Sequence, residues 1–533
     1  MKYFLVIFLL SLVLFFSFLG GTSVFPVAEA RNAECAREML QQNNWVVPTF
    51  NGELRTDKPV LEYYGMMIAY LVGGVNEASA RFFSAVCGVL IVLATFWIAK
   101  RHISLKAAWW SALILLSSMH VVAQFRVATP DPYLIFCHTL SLYLFYEGWS
   151  SGKWKWYGGM YIFLGLGILA KGPVGLLLPA LSAFVFLLAT QTFNWRTILA
   201  LKPWWGILLT LLFSLPWYLA VDMETGGRWT QGFFWEHNFD RFNSGMGSHS
   251  GPFVLSFLFI IAGMLPFSVF AVRAFRNAWK SKKAEPILLF AIISVASVAV
   301  FYAFSKTKLI NYTTPAYPFL AIIIGGCIAK LVDEKQTKKL VKPELYIFAL
   351  LAVAFPFAAY FLTQNTEPLD SVSWIFWFFL FLPIGALLAL FLSRKSLEKG
   401  ILAMSITFML ATVVFFAGPY QIIDDQSPIR KYEELVRSHE NVVAYKNFDD
   451  AFAFYVQNPI PVFQTEKELE AYLGNHKDVL VLCRDRNLTY MDSIPNLRRV
   501  SIDHDLFSRR SSGVYHNRSK AVESKENLVF ESN

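Results

Sequence analysis

The sequence predicts a polytopic α-helical membrane protein with a small α/β domain at its C-terminal end, and three observations predict it. Apolar runs recur down to about residue 418, at the roughly 17–25 residues a helix needs to cross hydrocarbon. The chain is 55% hydrophobic and only 16% charged, with a mean hydropathy of +0.44, whereas a soluble domain carries about a quarter charged residues. Beyond residue 425 the composition turns polar, and short β-like runs alternate with helical ones.

The elements follow in order. Residues 3–20, YFLVIFLLSLVLFFSFLG, form a first span preceded by one Lys. Their apolar run is long for a cleaved signal, and GGTSVF is a poor cleavage context, so the span is read as uncleaved. The stretch 29–64, EARNAECAREMLQQNNWVVPTFNGELRTDKPVLEYY, is charged and helically spaced around residues 30–42. Its apolar continuation over 60–74 is too short to cross, so both segments are expected to lie at the membrane interface. Further spans fall near 78–99, 107–124, 130–147, 156–170, 174–190, 203–221, 252–272, 285–304, 313–332, 344–363, 373–393 and 400–418, about thirteen in all with the first.

Charge orients them. Alternate loops hold Lys100, Arg101 and Lys106, then Lys153 and Lys155, then Arg196 and Lys202, and later the cation clusters near residues 273–283, 330–342 and 394–399. By the positive-inside rule these loops are cytoplasmic. The other set carries Asp222, Glu224, Glu236, Asp240, Glu367 and Asp370 and faces outward, which places the N-terminus inside and the C-terminus outside. After the last span, residues 425–533 are expected to form an outward α/β domain. VVAYKN and DVLVLC read as strands; SPIRKYEELVRSH and TEKELEAYLGNH read as helices capped by Ser or Thr. The tail after about Ser511 is Ser- and Lys-rich and expected to be disordered.

Several function classes drop out. The net charge of +9 belongs to the cytoplasmic loops and gives no reason to expect nucleic acid. Neither a Walker A loop nor a dinucleotide fingerprint is present, so no nucleotide cofactor is expected. The five cysteines lack metal-type spacing, and a Cys35–Cys483 disulfide stays open as a pairing.

The chemistry concentrates on the outward side. Lys58, Lys171, Arg241, Lys306 and Lys308 sit near span ends there, against the topological bias, which points to an anionic ligand. The same loops supply Glu29, Arg31 and Asp57, then Asp131 in TPDPY, then His237 in FFWEHNFDRF, His249, and Tyr312 in FSKTKLINYTTPAYP. Cations stabilise charge developing on a leaving phosphate, and more strongly in a partly dry site. A carboxylate can take the proton of an attacking hydroxyl and support positive charge on a sugar ring. Together they suit transfer of a sugar from a lipid phosphate, with no nucleotide needed.

These motifs, taken in order, resemble the lipid-phosphate-dependent glycosyltransferases of the C-type fold, in particular the aminoarabinose lipid A transferases and the protein O-mannosyltransferase superfamily. The resemblance rests on EARNAECAREML, DKPVLEYY, the Asp131 context, LAKGPVG, FFWEHNFDRF followed by HSGPF, and SKTKLINYTTPAYP. It implies about thirteen spans and a small outward domain. It implies a polyprenyl-phosphate sugar donor and a glycolipid, surface glycan or protein acceptor, on the periplasmic face of a bacterial inner membrane. Lys58, Arg241 and Tyr312 would hold the carrier phosphate, with Lys171, Lys306, Lys308 and Arg31 as further cations. Asp131 matches an acid lining the family's site. Where relatives with a lipid A acceptor carry an Asp-Glu pair, this chain has Ala28-Glu29, so Glu29 and Asp131 both stand as candidate bases. The resemblance also implies a divalent metal, for which Asp57, His237 and His249 are the candidate ligands.

Two other readings remain at this level. A transporter or flippase of a lipid-linked or anionic substrate should hold its ionisable residues near the bilayer midplane, while this chain puts them at span ends. A scaffold for the C-terminal domain gives the outward cations no purpose.

Overall fold

The computed structural model describes residues 1–235, 251–333, 342–495, 497–506 and 510–517. Every apolar window named above holds helix. The first eight helices are α1 (Lys2–Phe16), α2 (Val27–Gln41), α3 (Leu61–Gly73), α4 (Glu77–His102), α5 (Leu105–Ser117), α6 (Met119–Gln124), α7 (Pro130–Ser151) and α8 (Trp154–Lys171). Local chemistry sets their ends. The Asn76 side chain accepts from the Ser79 amide at the start of α4, and Lys100, Arg101 and His102 occupy its last turn, where the helix dipole favours cations.

By length and hydropathy, seven of the described helices can cross a membrane, or eight if one bent pair counts as a span. The chain is thus a multi-pass helical membrane protein, with fewer full-length apolar helices among the described residues than the thirteen windows suggested. The difference is local. The window 107–124 breaks at Ser118 into α5 and α6. The window 252–272 bends by 114° between Leu255–Gly263 and the helical run Phe267–Ser281. Three further apolar helices, α1, α5 and Val174–Ala189, are short. The helix spanning Ile310–Asp333 is the central one, with 89% of its apolar window buried, against 17% for the peripheral Trp195–Thr225. Gly325 lets α5 approach it: a Cβ there would stand 2.6 Å from the Ser111 backbone nitrogen.

The loop between the first two apolar windows holds the helices α2 and α3, joined by a two-stranded ribbon of β1 (Thr49–Phe50) and β2 (Glu53–Leu54). The polar end forms a five-stranded sheet in the order β4-β3-β5-β7-β6. Its strands are β3 (Val442–Tyr445), β4 (Val462–Phe463), β5 (Val479–Arg484), β6 (Leu497–His504) and β7 (Ser511–Asn517). β3 runs parallel to β4 and β5, while β7 is antiparallel to β5 and β6. The predicted helices are Pro428–Ser438, opened by Ser427, and Glu466–Asn475, opened by a Thr465–Glu468 capping box. Residues 511–517, expected in a disordered tail, instead form a strand, because Val514 and Tyr515 insert into the core on alternate faces.

That alternation organises the junction. Val443, Tyr445, Val479, Val481 and Cys483 face a core with Leu469 and Met491. Val442, Ala444, Leu480 and Leu482 face the opposite way, into a cluster shared with Ala30, Ala33, Met39 and Tyr63 of the first loop. The period of two along each strand thus joins the sheet to α2 and α3. It also corrects the disulfide expectation: Cys35 and Cys483 lie in separate clusters, and all five cysteines are buried and unpaired.

Candidate active site

Asp131 stands in the first turn of α7, where an acid suits the positive end of the helix dipole. It is 6% exposed. Its Oδ1 is paired with Lys171 Nζ, and its Oδ2 accepts from Asn311 Nδ2 at 2.6 Å. Lys171 Nζ also lies 4.7 Å from the Tyr312 ring centroid, a cation–π distance. Tyr302 packs against Tyr312 with ring centroids 5.1 Å apart. Three chain segments meet here: the start of α7, the end of α8, and the 3-10 turn Ile310–Ala316. Lys171 is held by the turn that follows it. Gly172 adopts a left-handed φ of +72° and caps α8 through its amide to Ile168 O, a conformation that only glycine adopts without strain.

A second group comes from the first loop. Asn32 is its hub: Oδ1 accepts from Arg55 Nη2 at 2.7 Å, while Nδ2 donates to Glu62 Oε2 at 3.4 Å and Ala128 O at 3.3 Å. Glu62 is fully buried, and burial pushes its carboxyl well above the usual range, opposed by the charges of Arg55 and Lys58. Asp131 and Lys171 act electrostatically on the same carboxyl, which ties the two groups together. Asp57 Oδ2 lies 3.6 Å from Arg55 Nε, and Lys58 Nζ donates to the Asp57 carbonyl at 3.1 Å. Trp229 Nε1 fixes the loop by donating to Arg55 O at 2.8 Å.

Asp131, Lys171 and Tyr312, three of the residues singled out in the sequence, are therefore brought together. Other residues are engaged elsewhere. Glu29, expected as a candidate base, is 1% exposed and forms a two-point ion pair with Arg81, at 2.7 and 3.0 Å; Oε1 also accepts from the Ala128 amide at 2.8 Å. Arg31, expected as a phosphate cation, pairs with Asp450 at 2.6 Å. Lys308 donates to the carbonyls of Tyr302, Ala303 and Ser305, closing the C-terminal end of helix Pro286–Phe304. Lys306 is exposed. Arg241, His237 and His249 lie outside the described residues.

Sequence reasoning did not single out Asn32, Arg55, Glu62 or Asn311 as members of the site. Arg55 and Glu62 stand three and four residues from Lys58, and Asn311 adjoins Tyr312. A signal was present in that spacing, but only the packing of α3 on α7, where Gly65 meets Tyr133, turns Glu62 toward it.

Comparison with known proteins bears on the arrangement. Residues 3–231 match the family model of dolichyl-phosphate-mannose-protein mannosyltransferases. An uncharacterized protein of Aquifex aeolicus is 30% identical over 440 residues, covering 82% of each chain. An undecaprenyl phosphate-alpha-4-amino-4-deoxy-L-arabinose arabinosyl transferase of Pectobacterium atrosepticum is 27% identical over 436 residues, covering 79% of this chain and 76% of that one. Among solved structures, ArnT from Cupriavidus metallidurans in the apo state superposes with a TM-score of 0.81 at 20% identity, covering 96% of this chain and 97% of that one. The same protein bound to undecaprenyl phosphate matches equally well, with a TM-score of 0.81. The likeness extends over both the helical region and the C-terminal sheet.

Proposed function

The chain belongs to the C-type membrane glycosyltransferases, and from that premise we propose that it moves a sugar from a polyprenyl-phosphate donor to a lipid A-like glycolipid. The name of the arabinosyl transferase relatives supports the donor, and so does the binding of undecaprenyl phosphate by the structural neighbour, while the glycolipid acceptor follows from the sequence resemblance. The cation-rich loops on the opposite side support a site on the periplasmic face of an inner membrane.

The observation that carries the site assignment is the meeting of Asp131, Lys171 and Tyr312 at the ends of three separate segments. In the reaction, the acceptor oxygen forms a bond to the anomeric carbon as the bond from that carbon to the phosphate oxygen breaks. The carrier phosphate leaves with the electron pair. Lys58, Lys171 and Tyr312 stabilise its charge, with Arg241 as the further cation that the sequence resemblance implies. The acceptor proton passes to Asp131, whose carboxylate is oriented by Lys171 and Asn311. Direct attack inverts the sugar carbon. Glu29 then serves as architecture: its ion pair with Arg81 braces the carbonyls of Leu19, Thr22 and Ser23, to which Arg81 also donates. Asp57 lies beside Arg55, and the histidines named with it as metal ligands lie outside the described residues.

The test is transfer from labelled polyprenyl-phosphate sugar in membranes. Loss of a general base typically lowers the rate by about 10²–10⁴-fold. Asp131→Asn should fall in that range at unchanged protein level, whereas Glu29→Gln should chiefly lower the amount of folded protein. Full activity in Asp131→Asn would overturn the assignment.

A further inference from the structure

Away from the membrane, three residues of the C-terminal sheet converge with no part in the reaction above. His439 follows helix Pro428–Ser438, Asp478 precedes β5, and His516 lies near the end of β7. One potential donor atom from each lies within 4.8 Å of the others. His516 Nε2 is 2.8 Å from Asp478 Oδ1, and His439 Nε2 is 4.0 Å from the same oxygen. The imidazole rings meet edge-on, with centroids 5.1 Å apart.

We propose that His439, Asp478 and His516 form a zinc site on the outward domain. Two imidazoles and a carboxylate are a borderline donor set that suits Zn²⁺ over Ca²⁺ or Mg²⁺, which take oxygen ligands. Zinc–ligand bonds of about 2.0–2.2 Å put tetrahedral ligand atoms about 3.4 Å apart. The separations of 2.8 and 4.0 Å bracket that value, so closure needs shifts of well under an ångström from each side chain. Three protein ligands leave a fourth position for water, and Asp478, whose side chain is 67% exposed, opens that position to solvent.

The surroundings hold the donors in place. His439 Nδ1 bonds to Leu435 O at 2.8 Å, which fixes the proton there and turns the Nε2 lone pair toward Asp478. Such a bond to the far nitrogen is how metal-binding histidines are commonly oriented. The Asp478 amide donates to Asn517 O at 3.1 Å, beside His516, and Asn517 Nδ2 donates back to Leu473 O and His476 O. Asp478 also takes a left-handed φ of +61°, a conformation that is uncommon for a residue with a side chain and that clusters at functional positions. A bound ion would tie the end of helix Pro428–Ser438 to β5 and β7, three segments that meet only through the fold.

The experiment uses the full-length protein in detergent, stripped with a chelator and dialysed against Zn²⁺. The wild type should retain one more zinc per chain than the His439→Ala/His516→Ala double variant, and His504→Ala, at an exposed histidine outside the cluster, should retain the same number as the wild type. Failure of the transferase reading would leave this count unchanged. A second measurement needs no variant. Zinc should protect His439 and His516 together from diethylpyrocarbonate, as mapped by mass spectrometry, while the exposed His476 and His504 stay reactive. Equal zinc content in wild type and double variant would overturn the proposal. So would modification of both histidines unaffected by zinc, the result expected of a plain histidine–aspartate ion pair.

Discussion

Glu62 is a buried carboxylate in the site to which the proposed reaction gives no proton. It is fully buried, and one of its oxygens has no hydrogen-bond partner among the described residues. Burial raises its pKa well above 4.5, and the charge of Arg55 only partly offsets this. A carboxyl with a raised folded-state pKa contributes stability that is fully present below its unfolded pKa and is lost as pH rises through the folded value. Thermal stability in detergent should therefore fall as pH rises above the ordinary carboxylate range. Glu62→Gln, which copies the protonated form, should flatten that fall by on the order of 2 °C. Identical slopes in the two proteins would show that Glu62 is ionised in the fold. At this scale the sequence was partly legible. Asp131 and Lys171 stood out because each sits at a span end in a Pro- or Gly-marked turn. The Arg55–Asn32–Glu62 group did not, because Asn32 is 30 residues from Glu62 and its other partner, Ala128, is 96 residues away.

Among the elements, the hairpin formed by α8 and the helix Val174–Ala189 decides where the Lys171 ammonium stands. The two helices touch at Gly167 and Gly175, where a Cβ on Gly175 would lie 2.1 Å from Gly167 O. That neighbour is backbone, so the helices would have to separate, and Lys171 lies in the turn between them. A displacement of about 1 Å at a positioning group can cost about 10²-fold in rate. Gly175→Ala should thus reduce transfer at least 10-fold while the protein still inserts and folds, a loss read from initial rates normalised to folded protein. Gly474→Ala, where a Cβ meets nothing within 4 Å, should leave the rate unaltered. Equal rates in both variants would dissociate the hairpin from the site. Hydropathy located these helices but not their breaks or their close approach. The 114° bend falls at Pro266, which a hydropathy average passes over, and the split at Ser118 lies between two apolar helices that one window joins.

Across the whole molecule, the C-terminal sheet and the loop of α2 and α3 share one core, and this bears on whether the sheet is a separable appendage. Apolar residues of β3 and β5 lie in the same cluster as those of α2 and α3. Polar contacts reinforce the junction. Asn51 Nδ2 donates to Ile460 O at 3.0 Å and its Oδ1 accepts from the Ile460 amide at 2.6 Å. Tyr455 OH accepts from the Val24 amide at 2.9 Å and donates to Glu77 at 3.0 Å. The loop so held is the one that carries Lys58 and Arg55. The sequence marked the change in composition near residue 425 and so suggested two units. It did not reveal the shared core, because the strand residues that build it alternate with those facing the sheet's own helices. Removal of residues 425–533 would strip that cover from the apolar side of α2 and α3. Transfer activity should then be lost, and proteolysis of the loop between residues 27 and 60 should increase. Asp450→Ala makes the useful contrast. Its partner Arg31 is 43% exposed, and an exposed ion pair contributes only about 0–1 kcal/mol, so this variant should keep its rate to within about 5-fold. A truncated protein that retains full turnover with an equally resistant loop would show that α2 and α3 hold the site without the sheet.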